Sequence, residues 1–493
     1  MKGMVNPFGD CNGSRTVDCL SSSSVCDGAA VFPSRSLQLA TVTARSKRVP
    51  PSERPLSGRS FRMVFYYLYV ACIIGANAAI LIPRTAMGHV ESNQLFSASW
   101  VALHVVSLLV LLSLLRRQDS RNLVFVAMLG ILILVSAIWS VAPTYTLLYG
   151  GMMVGNVLVA HLMASELTFE EIVSFLTRVI LVISVVGVVA YFLRFGPVYY
   201  FDVHQRPNIF GGQPFRGFTA HKILAGLYAT LGAVAVMTTT RGAVRVACMS
   251  VLALSVALTS SMIGIVLFLA ATPIYVAVRY AFARRVGTTA MFVGSGAAIL
   301  VVVFLVASYW EQMLGVLARD STLTGRTTLW HIGVNAWLER PLLGWGFNAY
   351  LESSFSGLAN RLFNPYGEWD IPHFHQSFIQ TAVDMGALGL AILIGVLVYT
   401  LIASYRYGVA VNTSTGAFGF VVTLLMVIAA TAMFIFFNYN HFGTFLLMLL
   451  FFSLRRANRV GGEAEVSGGP SFIQESRGLR RTSKTKRRIG TGA

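Results

Sequence analysis

The chain has 493 residues, of which 55% are hydrophobic and only 12% charged, with a mean hydropathy of +0.67 and a formal net charge of +18. That composition excludes a water-soluble globule and a disordered chain, and the apolar residues fall into blocks of roughly 18 to 22, the length that crosses a hydrocarbon layer. The five cysteines form neither a metal-ligand spacing nor a disulfide framework, because Cys11, Cys19 and Cys26 lie in a Ser-rich leader and Cys72 and Cys248 inside apolar blocks.

Residues 1–61 read as a disordered basic cytoplasmic leader with no short apolar core followed by a cleavage site, so the first span serves as the insertion signal. Hydropathy then places spans over 62–83, 98–115, 122–142, 144–163, 173–193, 221–239, 244–260, 262–280, 290–309, 387–404, 416–437 and 441–454. Residues 62–454 are thus expected to form an all-α polytopic membrane domain of about twelve helices, followed by a disordered basic tail over 455–493. Arg116, Arg117 and Arg121, Arg241 and Arg245, Arg284 and Arg285, and Arg406 all fall on alternate loops, the same side as the leader and tail. Positive charge collects on the cytoplasmic side of short loops, so most of the net charge is topogenic and gives no reason to expect nucleic-acid binding.

Two connections on the opposite, outer side are long, 194–220 and about 310–385, and they hold Arg194, Arg206, Arg216, Arg319, Arg326, Arg340 and Arg361. Arginine there has no topological use, which points to an anionic ligand. Within the larger loop, "RTTLWHIGVNAWLE" predicts an amphipathic interfacial helix over Arg326–Glu339. Its periodicity sets Trp330, Val334, Trp337 and Leu338 on one side and Thr328, His331 and Asn335 on the other, and Pro341 ends it. The glycines of "LLGWGFNAY" then predict a tight turn. In "HFHQSFIQTAVDMG" a helix after Pro372 sets Phe374, Phe378, Ala382 and Met385 opposite Gln376, Ser377, Gln380, Thr381 and Asp384, a polar face expected to line a cavity. His375 falls at its first turn, where the helix dipole disfavours imidazolium and a neutral ring can accept a proton.

The run "LTGRTTLW", "ERPLLGWG" and "HQSFIQTAVDMGALGL", with "FRGFTAHKILAG" and "IWSVAPTYTL" upstream, resembles the O-antigen ligase and polysaccharide polymerase superfamily, closest in wording to bacterial exopolysaccharide polymerases. The chain departs from it where Gln376 replaces the usual Asn and where "TSSMIG" lacks the usual cation. The resemblance implies a metal-independent glycosyltransferase of the bacterial inner membrane, with its site facing the periplasm. It implies a polyprenyl-pyrophosphate-linked oligosaccharide donor and, as acceptor, either a growing glycan or a lipid A core. The lipid bilayer is a further partner, as are flippase and chain-length-regulator proteins. It assigns His375 as general base, with Arg326 and Arg216 stabilising the pyrophosphate leaving group, and Lys222, Gln376, Asp384 and Arg206 contacting substrate; no cofactor or metal is called for.

Rival readings remain at this stage. His375 could be a capping residue without chemistry. His373, His375, Asp370 and His331 could hold zinc, although spacing positions no fourth ligand. Glu368 and Asp370 are too close along one loop to fix a glycosidase separation. A transporter or flippase would call for internal repeats and ionisable residues at the bilayer midplane, and the spans carry neither.

Overall fold

Each apolar block that can be followed in three dimensions is a helix. The computed structural model describes residues 56–81, 94–114, 120–200, 207–287, 289, 290, 293, 294, 296, 326–353 and 373–467. Arg206, Arg319, Arg361, Glu368, Asp370 and most of the ninth expected span lie outside these. The described helices are α1 (Leu56–Ile74), α2 (Ala76–Leu81), α3 (Gln94–Leu114), α4 (Ser120–Val135), α5 (Pro143–Glu166), α6 (Phe169–Phe192) and α7 (Lys222–Thr239). They continue with α8 (Gly242–Thr259), α9 (Met262–Ala283), α10 (Arg326–Glu339), α11 (Ser377–Ala410), α12 (Thr413–Ala430) and α13 (Phe442–Ser467). Among the described residues nine helices are long and apolar enough to span a membrane: α3 to α9, α11 and α12. The chain is therefore an all-helical polytopic membrane protein. Extended pairing is limited, among these residues, to one antiparallel bridge between Tyr199 and Phe215.

Local chemistry sets the boundaries. Thr168 and Glu171 form a capping box at the start of α6, Ser261 caps α9 through the Gly264 N–H, and Asn412 caps α12 through Ser414 and Thr415. The last span reads as short in the sequence because its apolar run stops near Leu454, yet Phe442, Phe445 to Leu450, Phe452 and Leu454 are almost fully buried. A helix apolar on every side belongs in the middle of a bundle, and α13 packs against α5, α11 and α6.

The charged ends gather at one end of this bundle. Arg62 Nε donates to both Glu166 oxygens at 2.8 and 2.9 Å, Tyr66 adds its hydroxyl, and Arg456 donates to the Ala164 carbonyl. Helix α1 starts at Leu56, six residues before hydropathy places it, and its first two turns carry Arg59 to Glu171 and Arg62 to Glu166. A window that averages hydropathy discards such a turn; ion pairing keeps it helical.

The opposite end is held by a broken helix. At Gly386, φ 63° and ψ −162° interrupt α11 in the middle of an apolar stretch. Backbone groups freed inside a membrane protein must find partners there. They find the turn after α10: Trp345 N–H donates to Val383 O (2.8 Å), Gly346 N–H to Asp384 O (3.0 Å) and Ala387 N–H to Pro341 O (2.7 Å). The approach is close enough that a Cβ on Gly386 would stand 2.3 Å from the Leu342 carbonyl carbon, and one on Gly344 2.5 Å from Val383 O. The two glycines of "LLGWG" and the last residue of "DMG" are thus one interlock.

Gly386→Ala is expected to lose at least about 3 kcal/mol, since it combines backbone overlap with a left-handed φ. Gly395→Ala, on the same helix with nothing within 4 Å of the new methyl, should leave the melting temperature in detergent within a degree or two. Equal melting of both variants would contradict the interlock.

Candidate functional site

The interlock fixes what stands at the start of α11. Gln376 is the N-cap, its side-chain oxygen accepting from the Ile379 N–H. An Asn–Gln exchange at this position preserves that role, since both amides can cap. His375, just before it, has φ 54°, an uncommon conformation for a side-chain-bearing residue and one that recurs at functional sites. Its N–H donates to His373 Nδ1 at 3.2 Å, and the two imidazoles meet edge to face with centroids 4.2 Å apart.

Helix α10 occupies Arg326–Glu339 as its periodicity predicts, but the buried face is Leu329, Ile332, Gly333 and Ala336, while Val334 and Leu338 point outward. Small residues decide this, because Gly333 lets α10 approach Ile379 and Phe374, where a Cβ would lie 2.5 Å from Ile379. Trp330 Nε1 donates to the Phe374 carbonyl at 3.0 Å, tying α10 to the residue before His375. Arg326, at the start of α10, donates to the Ala432 carbonyl at 3.0 Å and lies near enough to the histidines to act on their charge.

Four histidines meet at this end. Burial first, then the positive neighbours His373, Arg326 and His221, hold His375 down to about 2. Burial and Arg326 hold His373 down to about 4, and burial and His373 hold His441 down to about 3. His221 caps α7, its Nδ1 accepting from Ile223 N–H and its Nε2 facing the Tyr200 hydroxyl at 2.7 Å. Among the described residues no group of three or more His, Cys, Asp or Glu has the geometry of a metal centre.

The polar face of α11 is occupied by protein partners. Ser377 Oγ donates to Met433 O and accepts from the N–H groups of Ile435 and Phe436, and Gln380 donates to both oxygens of Asp384 and accepts from Phe374 N–H. Ser377, Gln380, Thr381 and Asp384 are almost fully buried and brace the fold around His375 instead of lining an open cavity. Residues 431–441, a buried connection between α12 and α13, supply the carbonyls that Arg326 and Ser377 use.

Arg216 is 3% exposed and donates from Nε to the Pro197 carbonyl. It lines an apolar cleft with Ile74, Ile180, Phe215, Tyr228 and Ala229. Tyr228 also borders His441, ring centroids 6.4 Å apart, so the cleft abuts the histidine cluster. Lys222 sits over the Tyr200 ring, 5.1 Å from its centroid. The structure therefore brings His375 together with Arg326 and His221, and sets Arg216 and Lys222 on the neighbouring α6–α7 side.

Sequence reasoning did not single out His221 or His441. The signal for His221 was present in "HKILAG"; for His441 it was a polar interruption, "NYNH", between two apolar runs.

Residues 226–394 match the family model described as O-antigen ligase. The chain is 32% identical over 283 residues to "Exopolysaccharide production protein ExoQ" of Rhizobium meliloti (strain 1021), an alignment covering 54% of this chain and 61% of that protein. The matched segment runs from α7 through the interlock, so the similarity to the O-antigen ligase family covers the helices that build the site, and the chain spans about three fifths of the length of the curated relative it matches.

Histidines held neutral in the fold bind protons more readily once unfolded. The histidines' contribution to stability should therefore be constant above pH 6.5 and fall as pH drops below it, by up to about 1.4 kcal/mol per pH unit for each such histidine. Thermal unfolding in detergent checks this; a His373→Gln or His441→Gln protein should show a shallower slope.

Proposed function

We propose that the chain polymerises lipid-linked oligosaccharide repeat units at the outer face of a bacterial inner membrane, by metal-independent glycosyl transfer from a polyprenyl pyrophosphate. The observation that carries this is the convergence of His375 with Arg326 at the start of α11, beside an apolar cleft that holds a buried arginine. The exopolysaccharide relative and the O-antigen ligase match support the same chemistry.

The acceptor hydroxyl attacks the anomeric carbon while its proton passes to His375, and the bond to the pyrophosphate breaks with the electron pair leaving on the phosphate oxygen. That oxygen's charge is taken up by guanidinium groups, those of Arg326 and Arg216, in place of water. An imidazole held near 2 is a weak base. Part of that depression comes from adjacent positive charge, and a bound pyrophosphate supplies the opposite charge. Donor binding thus raises the basicity of His375, so that the base becomes effective only when the leaving group is in place. A prenyl chain remaining in lipid accounts for a site at the end of a membrane bundle. Lys222 adds positive charge on the α7 side, and Gln376 and Asp384 hold the backbone on which His375 stands.

The family match also fits a ligase that transfers finished glycan to a lipid A core, which breaks the same donor bond and differs in acceptor. A deletion strain separates the two. Loss of high-molecular-weight secreted polysaccharide with intact lipopolysaccharide is the outcome expected; O-antigen accumulating on its carrier would reverse the order. His375→Ala and Arg326→Ala proteins are expected to insert normally, bind donor differently, and lose at least about 100-fold in polymer synthesis. Activity in a chelator should persist; its reversible loss would bring back a metal.

A further inference from the structure

A row of tyrosines runs into the site from the start of α5 and has no part in the chemistry above. Tyr149 and Tyr439 stack with centroids 4.1 Å apart and planes 16° from parallel, and Tyr145 extends the stack at 5.8 Å and 28°. The Tyr149 hydroxyl donates to the Glu352 carboxylate at 3.5 Å. Glu352 is exposed and the outermost ring, Tyr145, is 42% exposed. The inner end of the row is two residues from His441, whose charge is coupled to His373.

Tyrosines at the end of a membrane bundle often anchor the protein at the lipid interface. This row differs in two respects: the rings stack face to face, and the Tyr149 hydroxyl donates to a carboxylate, a group that lipid tails do not require. A flat aromatic face next to a carboxylate suits a sugar ring, whose axial C–H groups lie against the π surface while its hydroxyls donate to the carboxylate. We propose that the exposed ring of Tyr145, backed by the stacked Tyr149 and flanked by Glu352, forms the outer end of a saccharide-binding track that guides the glycan acceptor toward His375. The proposal rests on the glycosyl-transfer reading for its direction, though not for the binding itself.

The test uses the full chain in lipid nanodiscs and, as probe, a water-soluble oligosaccharide obtained by partial hydrolysis of the polysaccharide of the source bacterium, followed by saturation-transfer NMR. Wild-type protein should saturate the ring C–H protons of the sugar. Tyr145→Ala and Tyr149→Leu should each weaken binding about 10-fold, Glu352→Gln several-fold, and Leu147→Ala, an exposed position on the same helix, should not change it. Tyr145 is exposed enough that its variant tests the track even if Tyr149→Leu fails to fold. His375→Ala should keep the binding while making no polymer. Unchanged affinity in Tyr145→Ala, or no binding by the wild type, overturns the track and leaves the catalytic reading standing. Full polymer from His375→Ala with binding lost in the tyrosine variants overturns the catalytic reading and leaves the track.

Discussion

The site depends on one set of backbone hydrogen bonds. A helix cannot stop inside an apolar bundle without leaving carbonyls and amides unpaired, each at a cost of several kcal/mol. At Gly386 the chain does stop, and residues Pro341 to Gly346 supply the missing partners. Because that segment directly follows α10, the same bonds fix α10 against the start of α11, with Trp345 locked by its indole N–H on Ala336 O and by Arg340 lying over its ring. The fixed pair is what brings Arg326 and His375, far apart in sequence, into one electrostatic environment.

That environment has a particular sign. Burial and the Arg326 charge act together on His373 and His375 and hold both imidazoles neutral. Such a site is poor at holding a proton and good at holding an anion. The nearest carboxylate on α11, Asp384, is spoken for by Gln380 and buried. Under the proposed reaction, an anionic donor bound beside Arg326 would restore basicity to His375.

Much of this was legible in the residues. The bounds of α10 follow from Arg326, the apolar spacing and Pro341, whereas His375, expected in the first turn of a helix after Pro372, precedes the N-cap Gln376 of a helix that begins at Ser377. The buried face of α10 was not legible, since a hydropathy pattern favours Trp330 and Leu338 over Gly333 and Ala336, whereas close helix packing selects the small residues. Nor was the function of Gly344 and Gly386, because each is an ordinary turn glycine until the other is beside it. The polar face of α11 misled for a related reason: Ser377 looks like cavity lining from one helix alone, and its partners lie in residues 431–441, more than fifty positions on. His441 belongs to the same long-range connection.

The most direct measurement is an electron cryo-microscopy map of the chain in lipid nanodiscs. The account predicts α11 interrupted at Gly386, with the Val383 carbonyl within hydrogen-bonding distance of the Trp345 amide and the imidazole of His375 facing the Arg326 guanidinium. A continuous helix through residue 386, with Arg326 and His375 on separate faces of the bundle, would contradict it.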